Sequence, residues 1–206
     1  MIKKLLGAVI GGCSLFSAAL AAPTTIDFDA LGGGLINPAD FAALGVEFSN
    51  ATVVSTGFEL SGANSIVSAT GGFSWLKPDA VVVTFAPGVQ LAGISGANVG
   101  FNGLRIEAFD AIIGGTLVAA QEMFGTTEGG TAAPNPPGDV VTVSTAGPDI
   151  RRIEIFQVTG QFNDTIVLDN FFFERTTTGV SEAPLAGLML LGLGFMGWMG
   201  RRRSIG

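Results

Sequence analysis

Short segments rich in Val, Ile, Thr and Phe recur along the middle of this 206-residue chain, separated by clusters of Gly, Pro, Asn and Asp. This spacing is typical of a β-sandwich with many strands. The 31 glycines, about twice the usual share, favour many turns. The sequence therefore predicts strands at Thr25–Phe28, Val46–Ser49, Thr52–Ser55, Ser65–Ala69, Ala80–Ala86, Ala92–Phe101, Leu104–Asp110, Thr116–Phe124, Asp139–Thr145, Arg152–Val158 and Thr165–Glu174.

The order of apolar and charged residues indicates which faces of these strands are exposed to solvent. Apolar and charged residues alternate over Leu104–Ala108 and over Arg152–Ile155, which predicts one buried and one exposed face. Thr165–Phe173 is apolar on both faces, which predicts a central strand or one covered by loops. Pro38–Ala43 is the candidate for a short helix. Gly125–Gly138 has many breakers and no period, which predicts a long exposed loop.

The chain contains no His and no Tyr. Imidazole bases, the Ser-His-Asp triad, His metal ligands and Tyr acids are therefore excluded. Carboxylates are left as candidate catalytic groups, and a glycosidase needs two of them about 5–10 Å apart. No constellation among the 17 acidic residues marks such a pair, so we predict that the protein is not an enzyme. A secreted, carboxylate-dependent glycosidase is the alternative.

The N-terminus predicts export. Lys3 and Lys4 precede an apolar run over residues 5–20, and Ala19-Leu20-Ala21 fits the cleavage rule of a secretory signal peptide. We therefore predict a signal peptide over residues 1–21. A lipoprotein signal ending at Cys13 is the alternative, although it leaves a very short apolar region before the cysteine. After cleavage at Ala21 the protein has no cysteine, and its exported domain, residues 22–175, must be held by core packing or by a metal.

The acidic balance of the exported part indicates which partners it avoids. Lys3, Lys4 and the terminal arginines account for five of the ten basic residues, whereas all 17 acidic residues lie between the two ends. Such a surface repels nucleic acid and anionic lipid, and it favours solubility and divalent cations. We predict no nucleic-acid partner.

The C-terminus predicts a membrane anchor. A linker at residues 176–179 leads to an uncharged apolar segment, 184–200, which we expect to form a transmembrane helix. Arg201, Arg202 and Arg203 follow it directly. Because Lys and Arg stay on the cytoplasmic side, these arginines act as a stop-transfer signal and place the preceding domain outside the inner membrane.

This arrangement, from signal peptide to Arg cluster, resembles exported proteins of Gram-negative bacteria that carry a PEP-CTERM sorting signal, also called an ice-binding protein C-terminal domain. The resemblance covers residues 180–206. Val180, Ser181, Glu182, Ala183 and Pro184 stand where the family has Val-Pro-Glu-Pro. It implies recognition by an exosortase-type sorting protease, anchoring in the inner membrane, and transfer to the cell surface or the extracellular space after processing.

Residues 22–175 also resemble carbohydrate-binding-type jelly rolls, at Thr25–Leu31, at Leu44–Phe48 and at Ile166–Phe171. The resemblance implies a jelly-roll β-sandwich whose first and last strands pair. It also implies a structural calcium ion held by acidic residues of these strands, Asp27, Asp29 and Asp169, because Ca²⁺ takes oxygen ligands. The alternative is that the first two face solvent and that Asp169 bonds to backbone groups.

Trp75 is the tryptophan outside the apolar C-terminal segment. It is a candidate for stacking on a sugar ring, although we favour the interpretation that it closes one end of the core. Taken together, these features predict a non-catalytic protein of the cell envelope or extracellular matrix, with exopolysaccharide as its candidate ligand.

Overall fold

The computed structural model describes residues 22–57, 59–125, 140–147, 149–161 and 164–175. The predicted signal peptide (1–21), linker (176–179) and sorting signal (180–206, with the apolar segment 184–200) lie outside the described residues, as does most of the predicted loop Gly125–Gly138. Residues Ala21–Thr176 form one compact unit. Within the described ranges, no helix is both long enough and apolar enough to cross a membrane.

The described part of the chain is built from β-strands, with two short 3-10 helices at Ala42–Leu44 and Lys77–Asp79. The strands are β1 (Thr24–Ile26), β2 (Gly34–Leu35), β3 (Val46–Ser49), β4 (Ala51–Val54), β5 (Ser65–Ser68), β6 (Val81–Val89), β7 (Leu91–Ala97), β8 (Leu104–Phe109), β9 (Leu117–Met123), β10 (Val140–Ser144), β11 (Ile150–Gln157) and β12 (Val167–Glu174).

The strands form two antiparallel sheets. The seven-stranded sheet has the order β10-β7-β12-β5-β4-β2, and β1 pairs with β12 beside this path. The five-stranded sheet has the order β3-β6-β11-β8-β9. From β5 to β8 the chain changes sheet at every strand, so the core-facing residues of both sheets build one core. The prediction of an all-β sandwich is confirmed.

The first and last described strands pair, as the sequence led us to expect. In the β1–β12 pair, Ile26 lies opposite Phe171 and Thr24 opposite Phe173. β12 has strands on both of its edges, because β7 pairs with it along the other side. β12 is therefore a central strand, one of the two arrangements that the apolar character of Thr165–Phe173 predicted.

Aromatic side chains join the two sheets. Phe171 of β12 is fully buried, and its ring centroid lies 5.3 Å from that of Phe48 in β3 and 6.2 Å from that of Phe85 in β6. The predicted alternation holds in β11, where Ile153 and Ile155 are completely buried. Burial of such side chains is the main source of stability in a domain without disulfides.

The structure corrects two local predictions and contains one strand that the sequence did not predict. Residues 38–41 form turns rather than the start of a helix, and the only helical hydrogen bonding there is the 3-10 turn Ala42–Leu44. The strand predicted at Ala92–Phe101 ends at Ala97, because Asn98 takes a left-handed conformation with φ of 57°. The two-residue strand Gly34–Leu35 was too short to give a periodic signal.

Candidate functional site

The three acidic residues predicted to bind calcium lie in different environments. Asp27 is exposed, and its Oδ1 accepts a hydrogen bond from the Asp29 N–H at 3.3 Å. Asp29 is half-buried, and its Oδ1 accepts hydrogen bonds from the N–H groups of Ala63 (2.7 Å) and Asn64 (3.1 Å). Contrary to the solvent-facing alternative, Asp29 is therefore tied to the loop that precedes β5.

Asp169 is 0% exposed, although it is a carboxylate. Its Oδ2 accepts hydrogen bonds from the N–H groups of Leu60 (3.0 Å) and Ser61 (2.8 Å), and its Oδ1 accepts one from Asn170 at 2.6 Å. Burial raises the pKa of Asp169 above its ordinary range, although these backbone hydrogen bonds act to lower it. The side chain is thus bonded to backbone groups, as the alternative interpretation of this residue required.

Within the described ranges, no three His, Cys, Asp or Glu side chains are grouped closely enough to hold a metal ion. Asp29 and Asp169 contact the same loop, but through separate residues. The calcium site therefore stays a prediction.

Trp75 lies in the core and is 0% exposed. Its Nε1–H donates a hydrogen bond to the Ile155 carbonyl at 3.1 Å, which satisfies the polar edge of the indole. A completely buried ring has no face on which a sugar can stack. The favoured core interpretation is confirmed, and the stacking interpretation of Trp75 is wrong in this structure.

A network of ion pairs covers the outer face of the five-stranded sheet. Its members, which we call the charged face, are Lys77, Arg105, Glu107, Glu122, Arg152 and Glu154. All except Lys77 belong to β8, β9 and β11, where they alternate with core residues. The sequence predicted an exposed face for β8 and β11 from their alternation. In β8 this prediction is wrong for Glu107, which is only 7% exposed. The sequence gave no signal for the cations and carboxylates that meet on this face.

Glu107 is at the centre of the network. Its Oε2 lies 2.5 Å from Lys77 Nζ, and its Oε1 lies 2.9 Å from Arg105 Nε. Arg105 Nη1 also contacts Glu122 Oε2 at 2.8 Å. Burial acts to raise the pKa of Glu107, but hydrogen bonds from Lys77 and Arg105 outweigh it and hold that pKa below its ordinary value. Glu107 is therefore a stable carboxylate at neutral pH.

Lys77 reaches this network from outside the sheet. It lies in the 3-10 helix Lys77–Asp79, directly after the loop that Trp75 anchors in the core. Its side chain is 52% exposed, and its Nζ also lies 3.9 Å from Glu154 Oε2. The buried indole thus positions an accessible cation above the face.

Phe109 adds apolar surface beside these charges. The Arg152 guanidinium lies 4.3 Å from the centre of the Phe109 ring, and its Nη1 donates a hydrogen bond to the Ile112 carbonyl at 3.0 Å. Ile112 belongs to the β8–β9 turn, which therefore overhangs the face. A shallow cleft of about 290 Å³ lies beside this turn, and its lining residues include Thr84, Glu47 and Ile112.

Two solved structures are similar to this chain at low identity. One is the cleaved adhesin domain of Lys-gingipain, with 16% identity and a TM-score of 0.49, over 74% of this chain and 99% of that one. The other is a low-affinity xylan-binding module of the gut symbiont Roseburia intestinalis, with 9% identity and a TM-score of 0.39, over 75% of this chain and 96% of that one. No protein-family model matches the chain, and no curated protein matches it.

Proposed function

We propose that this chain is a non-catalytic exported protein of the cell envelope or extracellular matrix, and that its β-sandwich binds polysaccharide on the charged face. The observation that carries the proposal is the alternation of cations and carboxylates on neighbouring strands of this face. A sugar hydroxyl both donates and accepts hydrogen bonds, whereas Arg and Lys only donate and carboxylates only accept. Neighbouring donors and acceptors therefore suit a chain of hydroxyl groups.

The rigidity of the face supports this proposal. Arg105 is held by two carboxylates, and Arg152 is held by Glu154, by the Phe109 ring and by the Ile112 carbonyl. Side chains that are already fixed lose little conformational freedom when a ligand binds. The adjoining cleft gives an extended ligand a concave surface beside the flat one.

One observation favours the glycosidase as a second candidate. Glu107 and Glu154 are register partners on β8 and β11, a position in which side chains start about 5 Å apart. That spacing suits two catalytic carboxylates. However, the pKa of Glu107 is lowered, whereas a general acid needs a raised one. Glu107 is thus better suited to accepting hydrogen bonds than to donating a proton.

A glycan array, followed by a reducing-sugar release assay on the bound glycans, separates the two candidates. We expect binding without hydrolysis, and we expect Glu154→Gln to weaken the binding. Asp27→Asn is the control, because it also replaces one carboxylate by an amide but lies outside the charged face. Hydrolysis that disappears in Glu107→Gln or Glu154→Gln would establish the enzyme, and an array with no bound glycan would reject the polysaccharide proposal.

The export route and the finer fold class belong to the same proposal. Strands β5 to β12 lie in the orders β10-β7-β12-β5 and β6-β11-β8-β9, which we interpret as a jelly roll. We further propose that an exosortase-type protease processes the protein near Glu182 and Pro184, after Arg201–Arg203 have held it in the inner membrane. Mass spectrometry of protein from cells with an active sorting protease tests this step. A C-terminus still at Gly206 would reject processing and leave a permanent anchor.

A further inference from the structure

Residues 59–64, which we call the strap, are tied to the seven-stranded sheet through their backbone. The N–H groups of Leu60 and Ser61 donate to Asp169 Oδ2 at 3.0 and 2.8 Å. Those of Ala63 and Asn64 donate to Asp29 Oδ1 at 2.7 and 3.1 Å. Two carboxylates thus bind four N–H groups of one six-residue segment.

The strap lies where two strands meet end to end. Both β1 and β5 pair with the edge of β12 that β7 leaves open: Ile26 lies opposite Phe171, and Ile66 lies opposite Leu168. Asp29 follows β1, and Asp169 belongs to β12, beside a β-bulge at which Asn170 has a φ of 50°. The two carboxylates therefore flank the junction between β1 and β5, and the strap crosses it.

The close approach of the strap depends on one glycine. Gly62 has a φ of +58°, and a Cβ at this position would overlap the Asp29 carboxylate. Only glycine combines this backbone conformation with the space that the carboxylate needs. The local sequence is thus adapted to a carboxylate lying against the peptide backbone.

These contacts do not fit the calcium ion that the resemblance to jelly rolls implies. Ca²⁺ takes six to eight oxygen ligands. Instead, Asp169 Oδ2 and Asp29 Oδ1 each face two N–H groups, whose positive ends point at the oxygen. A cation bound to these oxygens would have to displace the strap.

We propose that the strap takes the place of a cation: its backbone N–H groups bind the carboxylates of Asp29 and Asp169 and close the junction of β1 and β5 without metal. Hydrogen bonds to charged groups are stronger than neutral ones, and four of them act on one short segment. Asp27, the third predicted ligand, contacts the Asp29 N–H and has no bond to the strap. A substitution of Asp27 therefore distinguishes the predicted calcium site, which includes this residue, from the strap, which does not contact it.

Amide hydrogen exchange of the purified full chain, resolved by residue, tests the proposal. In wild type, the amides of residues 60, 61, 63 and 64 should be protected to the same extent in chelator and in millimolar CaCl₂, and the melting temperature should not change. Asp169→Asn should reduce protection at residues 60 and 61, and Asp29→Asn at residues 63 and 64, by about ten- to a hundredfold each. Asp27→Asn should leave all four unchanged.

A rise in the melting temperature or in strap protection with calcium, reduced by Asp27→Asn, would overturn the proposal in favour of a metal site. Wild-type strap amides that exchange as fast as those of an unfolded peptide would also overturn it. Both results come from chains that retain Asp169, so the test still decides if Asp169→Asn does not fold.

Discussion

The two sheets of the sandwich hold buried carboxylates in opposite environments. On the five-stranded sheet, Glu107 is paired with Lys77 and Arg105, and its pKa is held below the ordinary value despite its burial. On the seven-stranded sheet, Asp169 receives only backbone and hydroxyl hydrogen bonds in the contacts described, and burial raises its pKa. The difference separates a charged surface that a ligand can contact from a carboxylate enclosed to fix the backbone.

Removing the anchor of the charged face should have the largest effect. Trp75→Ala deletes a fully buried indole and the hydrogen bond to Ile155, so we expect a loss of about 3–5 kcal/mol in the free energy of unfolding. Chemical denaturation measures it. Phe73→Ala in the same loop is the control, since Phe73 is 40% exposed and should cost much less. Equal losses would contradict the separate role of Trp75.

The contributions of Glu107 and Asp169 to the pH dependence of stability should differ in sign. The lowered pKa of Glu107 stabilises the folded state above the unfolded pKa, and this contribution is lost as pH falls through the folded value. Asp169 has a raised pKa, so the folded state binds its proton first and gains stability as pH falls through that value.

Urea denaturation between pH 7 and pH 3 tests this difference when each acid is compared with its amide variant. Relative to Glu107→Gln, wild type should lose stability on acidification, whereas relative to Asp169→Asn it should gain. The other carboxylates cancel in each comparison. If both differences in the free energy of unfolding change in the same direction as pH falls, the pKa values of the two carboxylates are not shifted in opposite directions.

Single ion pairs at the edge of the charged face should contribute least to stability. Glu122 is 44% exposed and contacts Arg105, so Glu122→Gln should change the free energy of unfolding by about 0.2–1 kcal/mol. Thermal melting at low and high salt checks this value, and the difference from wild type should shrink as salt increases. A loss as large as that of Trp75→Ala would mean that the network holds the fold together.

The sequence predicts the parts of the fold that depend on local periodicity. Alternation in Leu104–Ala108 and Arg152–Ile155 predicted strands with one wet face, and the apolar run before Glu174 predicted a central strand. The charged face and the contacts between the strap and Asp169, in contrast, depend on segments that are distant in the sequence. Lys77 meets a carboxylate 30 residues away, and Asp169 binds N–H groups 108 and 109 residues away. No local periodicity encodes such contacts, and a backbone N–H donor is present in every residue except proline, so residue identity does not show which N–H groups bind a carboxylate.

Titration calorimetry with the glycan that gives the strongest array signal tests the central claim, that polysaccharide binds on the charged face. Arg105→Gln and Glu154→Gln should each weaken binding by about tenfold, as expected for the loss of a hydrogen bond to a charged group. Asp29→Asn, on the strap side, should leave the affinity unchanged. Affinity that falls in Asp29→Asn and persists in both charged-face variants would contradict the account.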